Sequence, residues 1–269
     1  MGAAMVKLSS TRELFAALAR AETIDVRAYT LRGPILGALE AAARRGARVA
    51  AELERSPDQK PRGSLARENR RVVGELRAAG VDAVLADPVH AKSIVADGSL
   101  FLDDRNWNAS DLVLRDDDRA DAASIPMLKH EALAAEARLL GQARREDGAI
   151  VASESFGCCN GVYSALDALA KRGGAPRLIV CERELRGNER ERRVLRALAR
   201  EGVRVRVSRD TEKLAAAGDR VWIGSANATV AFGRADLPDW GLYSGDSAIV
   251  AAVRARLESE WSRAKPLVK

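Results

Sequence analysis

The chain of 269 residues is poor in the side chains that most metal, redox and base-stacking chemistries require. It has two histidines, His90 and His130, and three cysteines, Cys158, Cys159 and Cys181. Neither set has the ligand spacing of a zinc site, and three cysteines do not make a disulfide framework. No metal or other cofactor is therefore expected, and the thiols read as reduced groups of a cytoplasmic protein. Aromatic residues make up only 4%, too few for a row of rings that grips a single strand. No apolar run reaches the ~18 residues needed to cross a bilayer. Residues 1–10 lack the apolar core of a secretory leader, so none is expected.

What is present is a charged, basic, globular composition. Charged residues are 30% and hydrophobic residues 47%, and a net charge of +6 favours an anionic partner, whether nucleic acid, lipid headgroup or phosphate ester.

The chain repeats itself. Residues 35–50 read as a helix that stops at Gly46 and passes into an apolar strand. Residues 163–180 repeat this, with Arg172-Gly173 as the stop. Glycine just past the last turn is the usual helix terminator. Arg70-Arg71-Val72-Val73 through Gly80-Val81 is matched by Arg192-Arg193-Val194-Leu195 through Gly202-Val203, with nine residues from the second arginine to the glycine in both. Fourteen residues separate Lys92 from Asn106 and, without a gap, Lys213 from Asn227. Helices alternating with short apolar strands predict a layered α/β fold. Two halves are expected, residues 1–145 and 146–269, each a mixed β-sheet flanked by helices, with the helix near 127–145 bridging them.

The stretch from Val89 to Gly98 reads as a strand with His90, Lys92 and Ile94 on one face. A histidine and a lysine side by side on a mostly buried strand need a counter-group. A phosphoryl oxyanion suits the lysine, and the histidine suits nucleophilic or proton-transfer chemistry near neutral pH. Asp97 opens the following turn with Gly98 and anchors it by side-chain bonding.

On His90-x-Lys92-x4-Asp97, together with Gly224-Ser225-Ala226-Asn227 and the duplication, the sequence resembles the phospholipase D superfamily over nearly its whole length. That resemblance implies a duplicated phospholipase D-like fold of two pseudo-twofold-related halves. It also implies phosphodiester chemistry through a phosphohistidine on His90, with Lys92 and Asn106 holding phosphoryl oxygens and Asp97 completing the motif. Lys213, Ser225 and Asn227 become phosphate ligands of the second copy. The family uses a second motif histidine, from the other half or from another subunit in a homodimer, to protonate the leaving group.

This chain departs from the pattern. Asp103-Asp104-Arg105-Asn106 fills the first Gly-Ser-x-Asn slot, and Thr211-Glu212-Lys213 stands where the second His-x-Lys belongs. Asp104 and Glu212 are the candidates for the missing acid. Asp103 and Asp104 read equally well as a solvated turn. Asp111 and Asp239 are candidate buttresses for the histidine. Glu154 reads as a loop carboxylate, His130 as a surface residue, and residues 57–71 as a basic loop able to track a phosphate backbone. Two readings result: a phosphodiesterase acting on DNA or RNA in preference to phospholipid, or a binding protein that kept an anion pocket and lost turnover.

Overall fold

In the computed structural model, residues 6–107, 111–117, 128–209, 211–229 and 237–267 are described. The chain divides into two compact units, Met1–Pro126 and Met127–Lys269.

The first unit is one mixed sheet of seven strands. In chain order these are β1 (Lys7–Ser9), β2 (Thr23–Ala28), β3 (Arg48–Glu54), β4 (Asp82–Ala86), β5 (Ser93–Ala96), β6 (Ser99–Asp103) and β7 (Val113–Asp116). Their order across the sheet is β1-β7-β6-β5-β2-β3-β4. β2, β3 and β4 run parallel, and β5 returns antiparallel to β2, with Arg27 opposite Ser93. Helices α1 (Thr11–Leu18), α2 (Pro34–Arg44) and α3 (Ser64–Ala78) make the connections. Ile24, Val26 and Ala28 point into the core with Leu39, Val72 and Ile94, while Asp25 and Arg27 face outward. That alternation is what a period-two strand dictates. Gly46 and Gly80 take φ of +99° and +91° just past α2 and α3, the left-handed stop that the sequence pattern requires.

The second unit repeats the plan. Its strands are β8 (Ile150–Ser153), β9 (Arg177–Cys181), β10 (Arg204–Ser208), β11 (Leu214–Ala217), β12 (Arg220–Gly224), β13 (Gly241–Ser244) and β14 (Lys265–Pro266). The order β13-β12-β11-β8-β9-β10-β14 matches β7-β6-β5-β2-β3-β4 strand for strand, apart from the added edge strands β1 and β14. Two hydrogen bonds tie the copies to one register. Asp103 N–H donates to the Lys92 carbonyl at 3.1 Å, and Gly224 N–H donates to the Lys213 carbonyl at 3.2 Å. The duplication is therefore real at the level of hydrogen bonding.

The helices of this unit are α4 (Lys129–Gln142), α5 (Gly161–Lys171), α6 (Glu182–Leu185), α7 (Glu189–Arg200) and α8 (Ser247–Arg263). Helix α4, expected as a bridge inside residues 1–145, belongs to the second unit. Its Ala132, Leu139 and Leu140 join Val162, Leu166 and Trp222 in one core.

Candidate active site

The motif strand is shorter than its sequence pattern suggests. β5 begins at Ser93, so His90 and Lys92 lie on the extended segment that enters it. The antiparallel pairing of β5 with β2 sets this segment beside Tyr29, at the carboxyl end of the parallel strands, where open α/β sheets form their clefts. The His90 and Tyr29 rings meet edge to face, with centroids 5.0 Å apart. Lys92 is buried, its Nζ 5.5 Å from the Tyr29 ring centroid and 2.8 Å from the His90 carbonyl that accepts its hydrogen bond. An aromatic face attracts a cation without neutralising it.

Two further groups hold this segment. The Glu54 carboxylate, buried at the end of β3, accepts from Val89 N–H at 2.6 Å and from Ser56 N–H at 3.0 Å. Burial raises its carboxyl above the ordinary carboxylate range. Tyr29 Oη donates to Asp58 Oδ1 at 2.7 Å and accepts from Asp58 N–H at 2.6 Å. Burial and the bond to Asp58 hold the phenol well above its usual pKa, so it stays a neutral donor. Asp58 and Gln59 both take left-handed backbone, at φ of 54° and 56°. The basic loop is thus clamped to the ring that packs on His90.

Asp97 sits elsewhere. It follows β5 at the strand's far end, five residues beyond Lys92, or ~16 Å at 3.3 Å per residue. There its carboxylate accepts from Glu22 N–H at 3.0 Å, Thr23 N–H at 2.9 Å and Thr23 Oγ1 at 3.1 Å. It anchors the start of β2 to the β5–β6 turn and does not reach the histidine.

Asp103 and Asp104 are fully buried, which excludes a solvated turn. Asp103 Oδ2 accepts from the Trp107 and Arg105 amides at 2.6 and 3.2 Å, closing the loop that carries Asn106. Asp111 forms a salt bridge with Arg105. Burial first, then the neighbouring Asp104 and Asp111, hold the Asp103 carboxyl well above the usual range. The Arg105–Asp111 salt bridge lies in the same loop region as this buried pair of carboxylates.

The corresponding loop of the second copy is uncharged at its first position for a steric reason. A Cβ on Gly224 would lie 2.4 Å from the Trp222 ring and 2.6 Å from the Trp240 carbonyl. Ser225 Oγ donates to Asp239 Oδ1 at 2.6 Å and accepts from Trp240 N–H at 3.0 Å. Asn227 Oδ1 accepts from Ser155 N–H at 3.3 Å. Lys213, buried like Lys92, meets a carboxylate where Lys92 meets a ring. Glu154 Oε2 is 3.2 Å from its Nζ, and Glu154 Oε1 is 2.5 Å from Arg183. Thr211 is buried with its hydroxyl lacking a hydrogen-bond partner among the described residues. Glu212 turns to the other side and pairs with Arg256 of α8 at 3.0 Å.

Solved structures share this architecture. The chain aligns over 97% of its length with phosphatidylserine synthase from Haemophilus influenzae, covering 87% of that protein at 12% identity and a TM-score of 0.69. It aligns over 96% of its length with polyphosphate kinase from Porphyromonas gingivalis at 15% identity and a TM-score of 0.61, spanning about half (47%) of that chain. What they share with this chain is a duplicated, phospholipase D-like α/β fold. No protein-family model matches the sequence, and no curated protein matches it.

Within this phospholipase D-like fold, His90, Lys92, Tyr29, Glu54 and the Asp103–Asn106 loop gather at one end of the first sheet. Lys213, Thr211, Glu154, Arg183 and the Gly224–Asn227 loop gather at the same end of the second. Tyr29 just after β2, Glu54 at the end of β3 and Arg183 in α6 escaped the sequence pattern because each is distant from any motif. Closeness to the end of an apolar strand was their one available signal. His130 lies on the exposed side of α4. The three cysteines are free. Among the described residues, no group of three or more His, Cys, Asp or Glu is placed to hold a metal ion, and no helix is long and apolar enough to cross a membrane.

Proposed function

We propose that the chain is a phosphodiesterase with one working centre, in which His90 attacks the phosphorus of a nucleic-acid phosphodiester. The observation that carries this reading is the pairing of a half-buried His90 with a buried Lys92 over the same tyrosine ring. The attack forms a nitrogen–phosphorus bond and expels the leaving alkoxide. Water then attacks the phosphohistidine, returning His90 and releasing a phosphomonoester. Lys92 and Asn106 hold the non-bridging oxygens as charge develops on them. Asp104, at the position of the family's serine, is the candidate for proton delivery. Lys213, Ser225 and Asn227 are the matching phosphate ligands of the second copy.

Nucleic acid is favoured over lipid by the loop that Asp58 clamps to Tyr29. It carries Lys60 and Arg62, and Arg67, Arg70 and Arg71 follow on α3, all of them exposed. A phosphate backbone lying along these residues would lead to His90, and its binding would weaken steeply with salt.

The test is hydrolysis of bis-p-nitrophenyl phosphate, single- and double-stranded DNA, RNA and phosphatidylcholine by the wild type and by His90→Ala. DNA or RNA cleavage that disappears in the variant supports the proposal. Preferential cleavage of phosphatidylcholine overturns the substrate class. Phosphate-ester binding without turnover of any substrate favours a catalytically impaired binding protein, the reading for which Thr211 in the histidine position speaks.

A further inference from the structure

The second copy has the parts of an anion site and an anion already in it. Lys213 is buried with only 2% of its side chain exposed. A lysine in such a place needs a fixed negative partner. Glu154, the residue after β8, supplies it, and its second oxygen reaches Arg183 in the short helix α6 that follows β9. Two carboxylate oxygens on two cations occupy the positions that two non-bridging phosphoryl oxygens would take. Two further groups of this copy, two residues before Lys213 and on the loop bonded to Ser155, keep polar atoms in reserve. The Thr211 hydroxyl is buried and lacks a hydrogen-bond partner among the described residues. Asn227 spends its carbonyl on Ser155 N–H, which leaves its amide hydrogens as donors. The first copy differs at one decisive place. Tyr29 stands where Glu154 stands, so Lys92 meets a ring face at the place where Lys213 meets a carboxylate.

We infer that Glu154 is an internal ligand: it fills a phosphate site on Lys213 and Arg183, and removing it uncovers binding of a phosphoryl dianion in the second copy. The inference holds whether or not His90 turns over substrate, because every group it uses belongs to the second unit.

The experiment is calorimetric titration of the full chain with inorganic phosphate near pH 7 at low salt. Glu154→Ala is expected to bind phosphate at least tenfold tighter than the wild type, and Glu154→Ala/Lys213→Met is expected to lose that gain. The gain should be unchanged in a His90→Ala background, which separates it from any binding at the first copy. Should Glu154→Ala fail to fold, Glu154→Gln keeps the side-chain volume, removes the charge and is judged by the same comparison. Equal isotherms for a folded Glu154 variant and the wild type overturn the inference. So does a gain that survives loss of Lys213.

Discussion

Lys213 Nζ lies 3.2 Å from the carboxylate of Glu154, whereas its counterpart Lys92 lies 5.5 Å from the centroid of the Tyr29 ring. One repeat sets its lysine against a carboxylate and the other sets it against an aromatic ring. The two lysines should therefore respond very differently to removal. Lys92→Met is expected to lower kcat on bis-p-nitrophenyl phosphate by ~10²–10³-fold, as loss of one positioned charge stabiliser does. Lys213→Met should lower it less than ~10-fold for the protein that remains folded. Steady-state kinetics on the two variants, with folding checked by circular dichroism, distinguishes these outcomes.

The acid for the leaving group is the weak point of the centre. Thr211 occupies the slot of the second histidine, and an aliphatic hydroxyl does not protonate an alkoxide usefully at neutral pH. Positioned acid help contributes ~10²–10⁴-fold when present. Diesters with p-nitrophenolate leaving groups should therefore turn over far faster than alkyl diesters. His90→Ala should abolish both. In the proposed mechanism His90 and Lys92 supply nucleophile and positive charge, so activity should survive EDTA. Full loss under chelation, restored by a divalent ion, would replace this mechanism with a metal-assisted one.

Asp97 belongs to the motif by spacing but sits at the far end of β5, tying Glu22 and Thr23 to the turn. Asp97→Ala should cost ~1–2 kcal/mol of stability, the usual effect of removing a carboxylate that accepts backbone amides. Its kcat, corrected for the folded fraction, should change less than about threefold. Urea denaturation and single-turnover rates measure the two quantities separately.

The loop bearing Lys60 and Arg62 is fixed by Asp58, whose backbone is held at φ 54° by its bonds to Tyr29. Asp58→Gly relieves that backbone and releases the loop. The expected result is a several-fold rise in KM for DNA with a smaller salt slope, while KM for bis-p-nitrophenyl phosphate moves less. An equal rise for both substrates would place the loop's role in shaping the His90 pocket instead.

Glu136 on α4 is buried, and burial raises its carboxyl to about 8. Its unfolded value is 4.5, so the folded state holds the proton longer on the way up in pH. The stability associated with the neutral carboxyl is complete below pH ~4.5 and is lost progressively up to pH ~8. Glu136→Gln, which stays neutral, should gain on the wild type as pH rises between those limits, by at most ~5 kcal/mol. Thermal melts at pH 5 and pH 8 report it. A difference independent of pH would mean that Glu136 is ionised in the fold.

Much of the architecture was legible because it is periodic. Helix, glycine and strand recur at Gly46, Gly80, Gly173 and Gly202, each a position where φ beyond +80° or close to it stops a helix. The equal Lys-to-Asn spacing correctly implied one register in two copies. What could not be read is what strand ends bring together from afar. Tyr29 lies sixty-one residues before His90 in the sequence, and Glu154 fifty-nine before Lys213. Neither has a local pattern that announces its partner. The length of the motif strand was overestimated because alternation continues through residues that extend the chain without pairing as a strand. The burial of Asp103 and Asp104 was illegible for a related reason: charged turns are usually solvated, and only the closed loop to Trp107 shows why this one is not.

The Lys213–Glu154 pair also constrains how this sequence can change. Losing Glu154 alone takes the carboxylate away from a lysine that is 2% exposed, and breaking a buried pair from one side typically costs ~3–5 kcal/mol, a large share of a domain's net stability. The pair is therefore shed most readily by two coordinated substitutions. Selection on folding alone would then suffice to keep Lys213 in a repeat that has Thr211 in place of the histidine, so its presence tells nothing about turnover.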